Sequence, residues 1–404
     1  MKILHTSDWH LGQEFYSYDR TEEHTTFLNQ LKQIVADENP DVMVVSGDIY
    51  HNATPSNTTM KLFTDHLIQI QDECPSMKII VAAGNHDSSA RLEMTRNLWK
   101  KFNIEMIGRI EKEDNEINFD RHIINVNDSE GNTIGFVVAM PHVFPQSFPL
   151  VSEDTPREQR QQAFWQELNN RLNQANPDKL PVVMMAHMAI TGCKIDGHDE
   201  SRGGMDYISL DSITVDYDYM ALGHIHCPQD IKSESKFARY CGTPIPVSFD
   251  EINDHSVSIV ELASGAEPKV KTIKIDNPIP LRTIPKNAAS YKDALNELAA
   301  IRDDEQMYVR LNIKFDDSVP RLIREQAIET LKDKQARFCT IKWERPETAT
   351  SNSQQVLFAT EEMLTKSPLE IAELHYKRVN GIEMSQDMTD KFNEVINIIN
   401  NHES

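Results

Sequence analysis

A short apolar run that leads into an aspartate places the strongest constraint on how this chain folds. Residues 42–45 read Val-Met-Val-Val, which predicts a buried strand, and Ser46 and Gly47 follow before Asp48. A carboxylate at the carboxyl end of such a strand faces the cleft beyond the sheet edge. Because a carboxylate has two oxygen atoms, Asp48 is able to bind two cations at once.

Similar apolar runs recur through the first 275 residues and alternate with helical patterns, which indicates a layered α/β architecture. The predicted strands are residues 2–6, 42–46, 78–82, 133–139, 182–186 and 219–222. Between the first two strands, the apolar residues Phe27, Leu28, Leu31, Ile34 and Val35 have the spacing of a helix. Candidate metal ligands follow several of the runs, so we expect the ligands to converge at strand ends.

Glycine stands immediately before a candidate ligand at three of these strand ends. The three glycines are Gly47, Gly84 and Gly223. Since glycine adopts backbone angles that other residues avoid, we expect the chain to turn sharply at these points. Such turns would bring the side chains that follow them to the edge of the sheet.

The candidate ligands form two sets that share Asp48. Imidazole nitrogens with carboxylate and amide oxygens suit divalent cations of moderate hardness, among them manganese, iron and zinc. The predicted ligands of the first metal are Asp8, His10, Asp48 and His226. Those of the second are Asp48, Asn85, His187 and His224. Two ions about 4 Å apart are able to clamp a phosphate and stabilise charge during an in-line displacement.

Two further histidines, His51 and His86, lie close in sequence to Asp48 and Asn85. Both are predicted to act beside the metals, because imidazole donates protons and hydrogen bonds near neutral pH. We assign to His86 the role of general acid, which protonates the leaving oxygen. His51 is predicted to help position the scissile phosphate.

The pattern changes at residues 276–285, which contain three prolines and predict a domain boundary. We therefore predict a first domain over residues 1–275 and an independent α/β unit over residues 276–346. The predicted elements of the second unit are helices near 290–301 and 319–332 and strands at 308–315 and 338–343. This unit has 13 Lys and Arg against 12 Asp and Glu. It is near neutral, so it is the better candidate for contact with phosphate.

The remaining residues predict a linker followed by two helices. Residues 347–366 begin with a stretch rich in Thr, Ser, Asn and Gln, which is typical of an exposed linker. Residues 367–404 contain two helical patterns separated by Asn380 and Gly381, which predict a helical hairpin. The second helix has an apolar stripe that must be buried. It packs either on its own domain or in a groove of another chain, and the pattern leaves both open.

Composition excludes several classes of protein. The net charge of −22 argues against broad, unassisted binding to a polyanion, so a nucleic acid substrate would require metals or a partner. No apolar run approaches the length of a membrane span. The five cysteines lack any Cys-x-x-Cys spacing, which argues against a disulfide framework or a zinc knuckle. The first residues show no signal peptide pattern, which predicts a cytoplasmic protein.

Five motifs occur in the order Asp-x-His, Gly-Asp, Gly-Asn-His-Asp, His and Gly-His-x-His, each near the end of an apolar run. Each motif alone is common in unrelated proteins. Their order and spacing resemble the calcineurin-like metallophosphoesterases over roughly the first 250 residues. That resemblance implies a four-layer β-sandwich flanked by helices, with the seven candidate ligands in the positions of the family's metal ligands.

A narrower resemblance covers nearly the whole chain. Residues 8–13, 20–24, 47–51, 55–56, 84–88 and 241–251 are similar to those of the SbcD family of DNA repair nucleases. The last segment is the most discriminating, because a general phosphoesterase needs nothing like it after Gly-His-x-His. The resemblance implies a small α/β cap domain that contacts DNA, and a C-terminal helical hairpin that docks on an ATPase partner.

This second resemblance also implies an activity and a setting. The expected activity is manganese-dependent cleavage of double-stranded DNA ends and hairpins, as exonuclease and endonuclease, in DNA repair and recombination. The expected partner is SbcC, an SMC-type ATPase with a coiled coil whose root receives the helical hairpin. The family also implies a homodimer within a heterotetramer, located in the cytoplasm at the nucleoid and not in a membrane.

Two other functions remain open at this point. A phosphodiesterase for small substrates such as cyclic nucleotides would use the same ligands, but it would leave the cap and the hairpin without a role. A scaffold that has kept the fold and lost catalysis would lack ligands or the leaving-group acid. All seven ligands and His86 are present in this chain.

Overall fold

The computed structural model describes residues 1–113, 116–152, 155–195, 207–234, 236–315 and 319–344, with a few residues between 369 and 392. The predicted linker at 347–366 lies outside the described residues. So does the predicted helical hairpin at 367–404, apart from those few residues. Among the described helices, none is both long and apolar enough to cross a membrane.

Strands and helices alternate along much of the described chain. The strands are β1 (Lys2–Thr6), β2 (Val42–Ser46), β3 (Lys78–Ala82), β4 (Ile104–Ile107), β5 (Lys112–Glu113), β6 (Glu116–Ile117), β7 (Ile123–Asn127), β8 (Thr133–Ala139), β9 (Val182–His187), β10 (Tyr219–Gly223), β11 (Gln229–Lys232), β12 (Phe237–Tyr240), β13 (Ser256–Glu261), β14 (Lys269–Lys274), β15 (Leu281–Ala289), β16 (Met307–Lys314) and β17 (Ala336–Glu344). The helices are α1 (Thr21–Glu38), α2 (Asn57–Glu73), α3 (Ser89–Glu93), α4 (Arg96–Trp99), α5 (Arg160–Ala175), α6 (Tyr291–Ala299) and α7 (Ile323–Leu331). All six strands predicted for the first domain are confirmed, two of them longer by one residue.

Two six-stranded sheets form the body of the protein. The first has the order β14-β13-β1-β2-β3-β4, and β1 to β4 are parallel. Strand β13 pairs antiparallel with β1, and β14 pairs antiparallel with β13. The second has the order β11-β12-β10-β9-β8-β7, with four parallel central strands and an antiparallel strand at each edge. Each sheet therefore brings the carboxyl ends of its parallel strands to one edge.

The sheets pack face to face, and helices cover their outer faces. The inner core joins Ile3, Val44 and Ile80 of the first sheet to Val137 and Met185 of the second. Helices α1 and α2 pack on the first sheet, and α5 packs on the second, through buried side chains that include Phe27, Leu31, Phe63, Leu67, Phe164, Trp165 and Leu168. Strands buried on both faces read as continuous apolar runs. The predicted four-layer sandwich is confirmed.

A smaller sheet follows the sandwich along the chain. Strands β15, β16 and β17 are parallel, and α6 and α7 pack on them around a core of their own. The sequence predicted no strand near the proline-rich segment 276–285, yet β15 begins at Leu281 and includes Pro285. A proline is tolerated there because β15 is an edge strand, which has no neighbour on one side.

Aromatic and polar contacts join the small sheet to the sandwich. Tyr308 of β16 is buried in a cluster with Phe15 and Phe249. Its hydroxyl donates a hydrogen bond to Glu23 of α1 at 3.1 Å. These contacts hold β16 against the loop that follows β1 and the segment that follows β12. Both of these segments belong to the edge where the parallel strands end.

Candidate metal centre

The seven predicted ligands lie at the carboxyl ends of strands from both sheets. They are Asp8 and His10 after β1, Asp48 after β2, Asn85 after β3, His187 at the end of β9, and His224 and His226 after β10. All of them except Asn85 are buried, with at most 7% of the residue exposed. Burying carboxylates and imidazoles together is costly unless opposite charge compensates them. Such a cluster is therefore poised to bind cations.

Four of these residues have a backbone conformation that non-glycine residues rarely adopt. The φ angles are 53° at Asp8, 45° at His10, 52° at Asp48 and 98° at His224. Positive φ costs free energy in any residue with a Cβ atom, and it persists only where the surrounding structure enforces it. The strain concentrates at the predicted ligands, which is the usual distribution for a functional site.

The three glycines beside the ligands are required for two different reasons. Gly47 has a φ of 92°, as its position before Asp48 predicts. Gly84 and Gly223 have no positive φ, so the expectation of unusual backbone angles is wrong for these two. A Cβ atom on Gly84 would lie 2.0 Å from Asp48 Oδ1, and one on Gly223 would lie 2.0 Å from the Ser46 carbonyl oxygen. Close approach of neighbouring loops is what demands glycine there.

The ligands predicted for the first metal face one another. His10 Nε2 and His226 Nε2 are 3.3 Å apart. Together with Asp8, these histidines offer ligand atoms that all lie within 4.8 Å of one another. Asp8 forms a second such group with Asp48 and His187. Asp8 thus belongs to both groups of ligand atoms, so its carboxylate could serve either of the two predicted metals.

The ligands predicted for the second metal converge on Asn85. Its Oδ1 lies 2.9 Å from His187 Nε2 and 3.1 Å from His224 Nδ1. His187 Nε2 is also 3.4 Å from Asp48 Oδ2. Three ring or amide groups from three different strand ends therefore meet beside Asp48, as the sequence predicted.

One oxygen of Asp48 is shared by the two ligand sets. Asp48 Oδ2 lies 3.4 Å from His187 Nε2 and 3.8 Å from His10 Nε2. The other oxygen, Oδ1, accepts a hydrogen bond from the backbone N–H of His86 at 2.9 Å. Asp48 Oδ2 is therefore the oxygen that both ligand sets would share when ions are bound, while Oδ1 is held by the His86 backbone.

Protonation within the cluster shows how strongly it attracts positive charge. Burial opposes ionisation of Asp48, but the surrounding imidazoles, His187 foremost, hold the pKa of its carboxyl well below the usual value. Burial also lowers the pKa of His187, and the Asp48 carboxylate more than offsets this and raises that pKa to about 9. A proton on His187 thus offsets the negative charge of the Asp48 carboxylate, as a bound divalent cation would.

Hydrogen bonds behind two of the rings direct their other nitrogen into the site. His187 Nδ1 donates to the Ser46 carbonyl oxygen at 2.8 Å, and His226 Nδ1 donates to Glu251 Oε1 at 2.8 Å. In a neutral imidazole this leaves the lone pair on Nε2, the atom that a metal would bind. The oriented rings, the ionised Asp48 and the neutral oxygen of Asn85 together fit divalent cations of moderate hardness.

His51 and His86 lie on the open side of the cluster. Their rings stack with centroids 5.8 Å apart, and His86 Nδ1 donates to the His51 carbonyl oxygen at 2.8 Å. His86 Nε2 is 3.9 Å from Asp48 Oδ2, and 18% of the His86 side chain is exposed. Both histidines line a cleft of about 690 Å³, together with His10, Asp48, His224 and His226. They are the groups of the cluster best placed to meet a substrate from solvent.

Three residues that the sequence left without a role support the cluster. The carboxylate of Asp87 accepts backbone N–H groups of Ile49, Tyr50 and Gly84, which ties together the loops after β2 and β3. His142 donates from Nδ1 to the His187 carbonyl oxygen at 3.1 Å. Glu251 accepts the hydrogen bond from His226 Nδ1. Asp87 stands inside the Gly-Asn-His-Asp motif, which was the signal for its role. His142 has no comparable signal in the sequence.

The sandwich fold and the buried, oriented set of imidazole, carboxylate and amide ligands define a metal-dependent phosphoesterase, which is a hydrolase. The chain belongs to the calcineurin-like phosphoesterase family, whose model matches residues 1–228. The family resemblance seen in the motifs is confirmed.

Relatives extend the similarity beyond the sandwich. The chain is 29% identical over 369 residues to SbcD of the nuclease SbcCD from Rhodobacter capsulatus, which covers 86% of this chain and 89% of that protein. It is 27% identical over 329 residues to SbcD from Escherichia coli K12, covering 78% and 79% of the two chains. With SbcD of Bacillus subtilis it is 28% identical over 329 residues, covering 79% and 80%.

Proposed function

We propose that this chain is the nuclease component of an SbcCD-type complex and that it hydrolyses DNA phosphodiester bonds with two divalent ions, preferentially manganese. The single observation that carries the proposal is the convergence of the other six predicted ligands around Asp48, beside a cleft open to solvent. Similarity to SbcD nucleases over most of the chain supports DNA as the substrate. The proposed reactions are exonuclease cleavage at double-stranded ends and endonuclease cleavage of hairpins and single strands.

The chain's own residues supply three functions at the proposed site. The seven ligands would hold the two ions, which provide Lewis acid charge and activate the attacking water when bound. His86, whose Nε2 faces the cleft side of Asp48, would donate its proton to the leaving oxygen. His51, stacked on His86, would hydrogen-bond the scissile phosphate and hold it in line for attack.

The charge distribution supports DNA contact through the small α/β unit and through a partner. The whole chain has 41 Lys and Arg against 63 Asp and Glu, whereas residues 276–346 are near neutral. The three-stranded sheet also lies against segments that border the cleft, through Arg310 and Asp250. We therefore propose that residues 276–346 form a DNA-binding cap. An SbcC-type ATPase would supply further basic surface, in a heterotetramer that contains a homodimer of this chain at the nucleoid in the cytoplasm.

The proposed activity predicts metal-dependent cleavage of linear DNA by the assembled complex. With the SbcC-type partner, ATP and manganese, we expect linear duplex and hairpin DNA to be degraded, as measured by gel electrophoresis. Chelation of the metal should abolish the reaction, and relaxed circular duplex, which has no ends, is the matched control. Intact linear and hairpin DNA after incubation would contradict the proposal. Rapid hydrolysis of cyclic nucleotides by the isolated chain would instead support a small-substrate phosphodiesterase.

Deleting residues 367–404 tests the proposed docking of the helical hairpin. We expect the truncated chain to lose association with the ATPase partner in size-exclusion chromatography, because the apolar stripe of the second helix would have provided the contact. Manganese binding by the truncated chain is the control, and it should be unchanged since the described ligands all precede residue 227. Unchanged association would show that these residues do not dock on the partner.

A further inference from the structure

Glu251 ends the segment 241–251, which contributes no predicted ligand. Its side chain is fully buried. Oε1 accepts the hydrogen bond from His226 Nδ1 at 2.8 Å. Oε2 accepts from Thr243 Oγ1 at 3.1 Å and from the backbone N–H of Val247 at 3.2 Å. A buried carboxylate whose two oxygens accept three hydrogen bonds is held in one orientation.

We propose that Glu251 is a positioning residue for the first metal, and that it acts by orienting His226. The hydrogen bond at Nδ1 determines that the lone pair of the neutral ring is on Nε2. His226 Nε2 points toward His10 Nε2, 3.3 Å away, where the first ion would lie. A carboxylate behind a ligating histidine also makes the ring a better electron donor. The inference deepens the proposed function and rests on His226 being one of its metal ligands.

The segment that carries Glu251 is held from both parts of the protein. From the sandwich, Arg20 Nη1 donates to the Pro246 carbonyl oxygen at 2.7 Å, and Gln13 Nε2 donates to that of Val247 at 3.2 Å. From β16, Arg310 Nη1 forms an ion pair with Asp250 Oδ1 at 2.7 Å. Glu251 therefore contacts His226 from a turn that is held by hydrogen bonds from the sandwich and by an ion pair from β16.

Glutamine at position 251 has the shape of the native residue and the wrong hydrogen-bonding capacity. A carboxylate accepts at both oxygens, whereas an amide accepts at one atom and donates at the other. If the amide nitrogen faces His226, the ring must present an unprotonated Nδ1, which places the proton on Nε2. If it faces Val247, two N–H donors oppose each other. Glu251→Gln thus tests orientation with little change in volume.

Calorimetric titration of the metal-free full chain with manganese chloride provides the test. We expect two ions to bind the native chain, and one of them to bind 10- to 100-fold more weakly to Glu251→Gln. Glu93→Gln is the matched control, because Glu93 is a buried carboxylate that accepts from Gly108, Arg109 and Arg121 and contacts none of the predicted ligands. Both sites should be unaffected in that variant.

A second variant covers the case in which Glu251→Gln does not fold, as judged by thermal unfolding in chelator. Thr243→Val retains the carboxylate and removes one of its hydrogen bonds, so we expect a several-fold weaker affinity at the same single site. The role of Glu251 would be overturned if Glu251→Gln bound both ions with native affinity. If only Thr243→Val folds, native affinity for both ions in that variant would overturn it. Equal weakening in Glu93→Gln would overturn it as well. A native chain that binds fewer than two ions would overturn the proposed two-metal site itself, and with it this inference.

Discussion

Replacing Asp48 with asparagine is expected to abolish cleavage and to reduce manganese binding from two ions to at most one. Asp48 Oδ2 is the atom shared by the two ligand sets, 3.4 Å from His187 Nε2 and 3.8 Å from His10 Nε2. An amide keeps the shape of this side chain and removes its negative charge. Losing one metal removes several kcal/mol of transition-state stabilisation, which corresponds to a rate at least roughly 10³-fold lower.

The measurement combines manganese titration with single-turnover cleavage of linear duplex by the assembled complex. Asp218→Asn is the matched control, because Asp218 caps the backbone N–H groups of Val182 and Gly265 and has no contact with the predicted ligands. That variant should bind two ions and cleave at the native rate. Binding of two ions with native affinity by Asp48→Asn would show that Asp48 is not the bridge.

Replacing His86 with alanine is expected to lower the rate of DNA cleavage by about 10²- to 10⁴-fold while both ions still bind. His86 Nε2 lies 3.9 Å from Asp48 Oδ2, and its side chain is 18% exposed at the cleft, whereas the side chain of the predicted ligand His10 is only 3% exposed. We therefore predict that it acts as a proton donor and not as a ligand. His66→Ala, on the distant helix α2, is the control and should retain full activity.

The leaving group distinguishes general acid catalysis from other roles of His86. A diester with a p-nitrophenolate leaving group needs no protonation, so His86→Ala should slow its hydrolysis far less than that of DNA. An equal loss on both substrates would contradict the acid role. A loss of one manganese ion in the titration would make His86 a ligand, and full activity on DNA would remove it from the mechanism.

Strand prediction succeeded for most of the central parallel strands, but it missed β13, which is buried inside the first sheet and reads Ser-Val-Ser-Ile-Val-Glu. Strands β1, β2, β3 and β8 begin and end at the predicted residues, because parallel strands between two layers are continuously apolar. The hairpin strand β14 was also missed: it is the edge of its sheet, and its two half-buried apolar residues, Val270 and Ile273, stand three positions apart, which is not the spacing of a strand. Strand β15 was hidden by its proline. Edge strands satisfy weaker constraints, so their sequences carry a weaker signal.

The sequence alone determined the residue types of the site and the strand ends from which they come. Asp48, Asn85 and His187 each stand at the end of an apolar run, and a local motif is sufficient to find them. A short stretch of sequence is enough to identify each of these ligands, because each is held in place by the turn in which it lies.

Only the tertiary structure decided how these groups act on one another. Asp48 Oδ1 accepts the backbone N–H of His86, which leaves Oδ2 as the oxygen that could serve both proposed ions, and Asp8 belongs to ligand groups on both sides. Glu251 meets His226 across 25 positions of the chain, and His142 meets His187 across 45. Hydrogen bonds depend on distance and direction in space, so contacts between segments remote in sequence have no periodic pattern that would predict them.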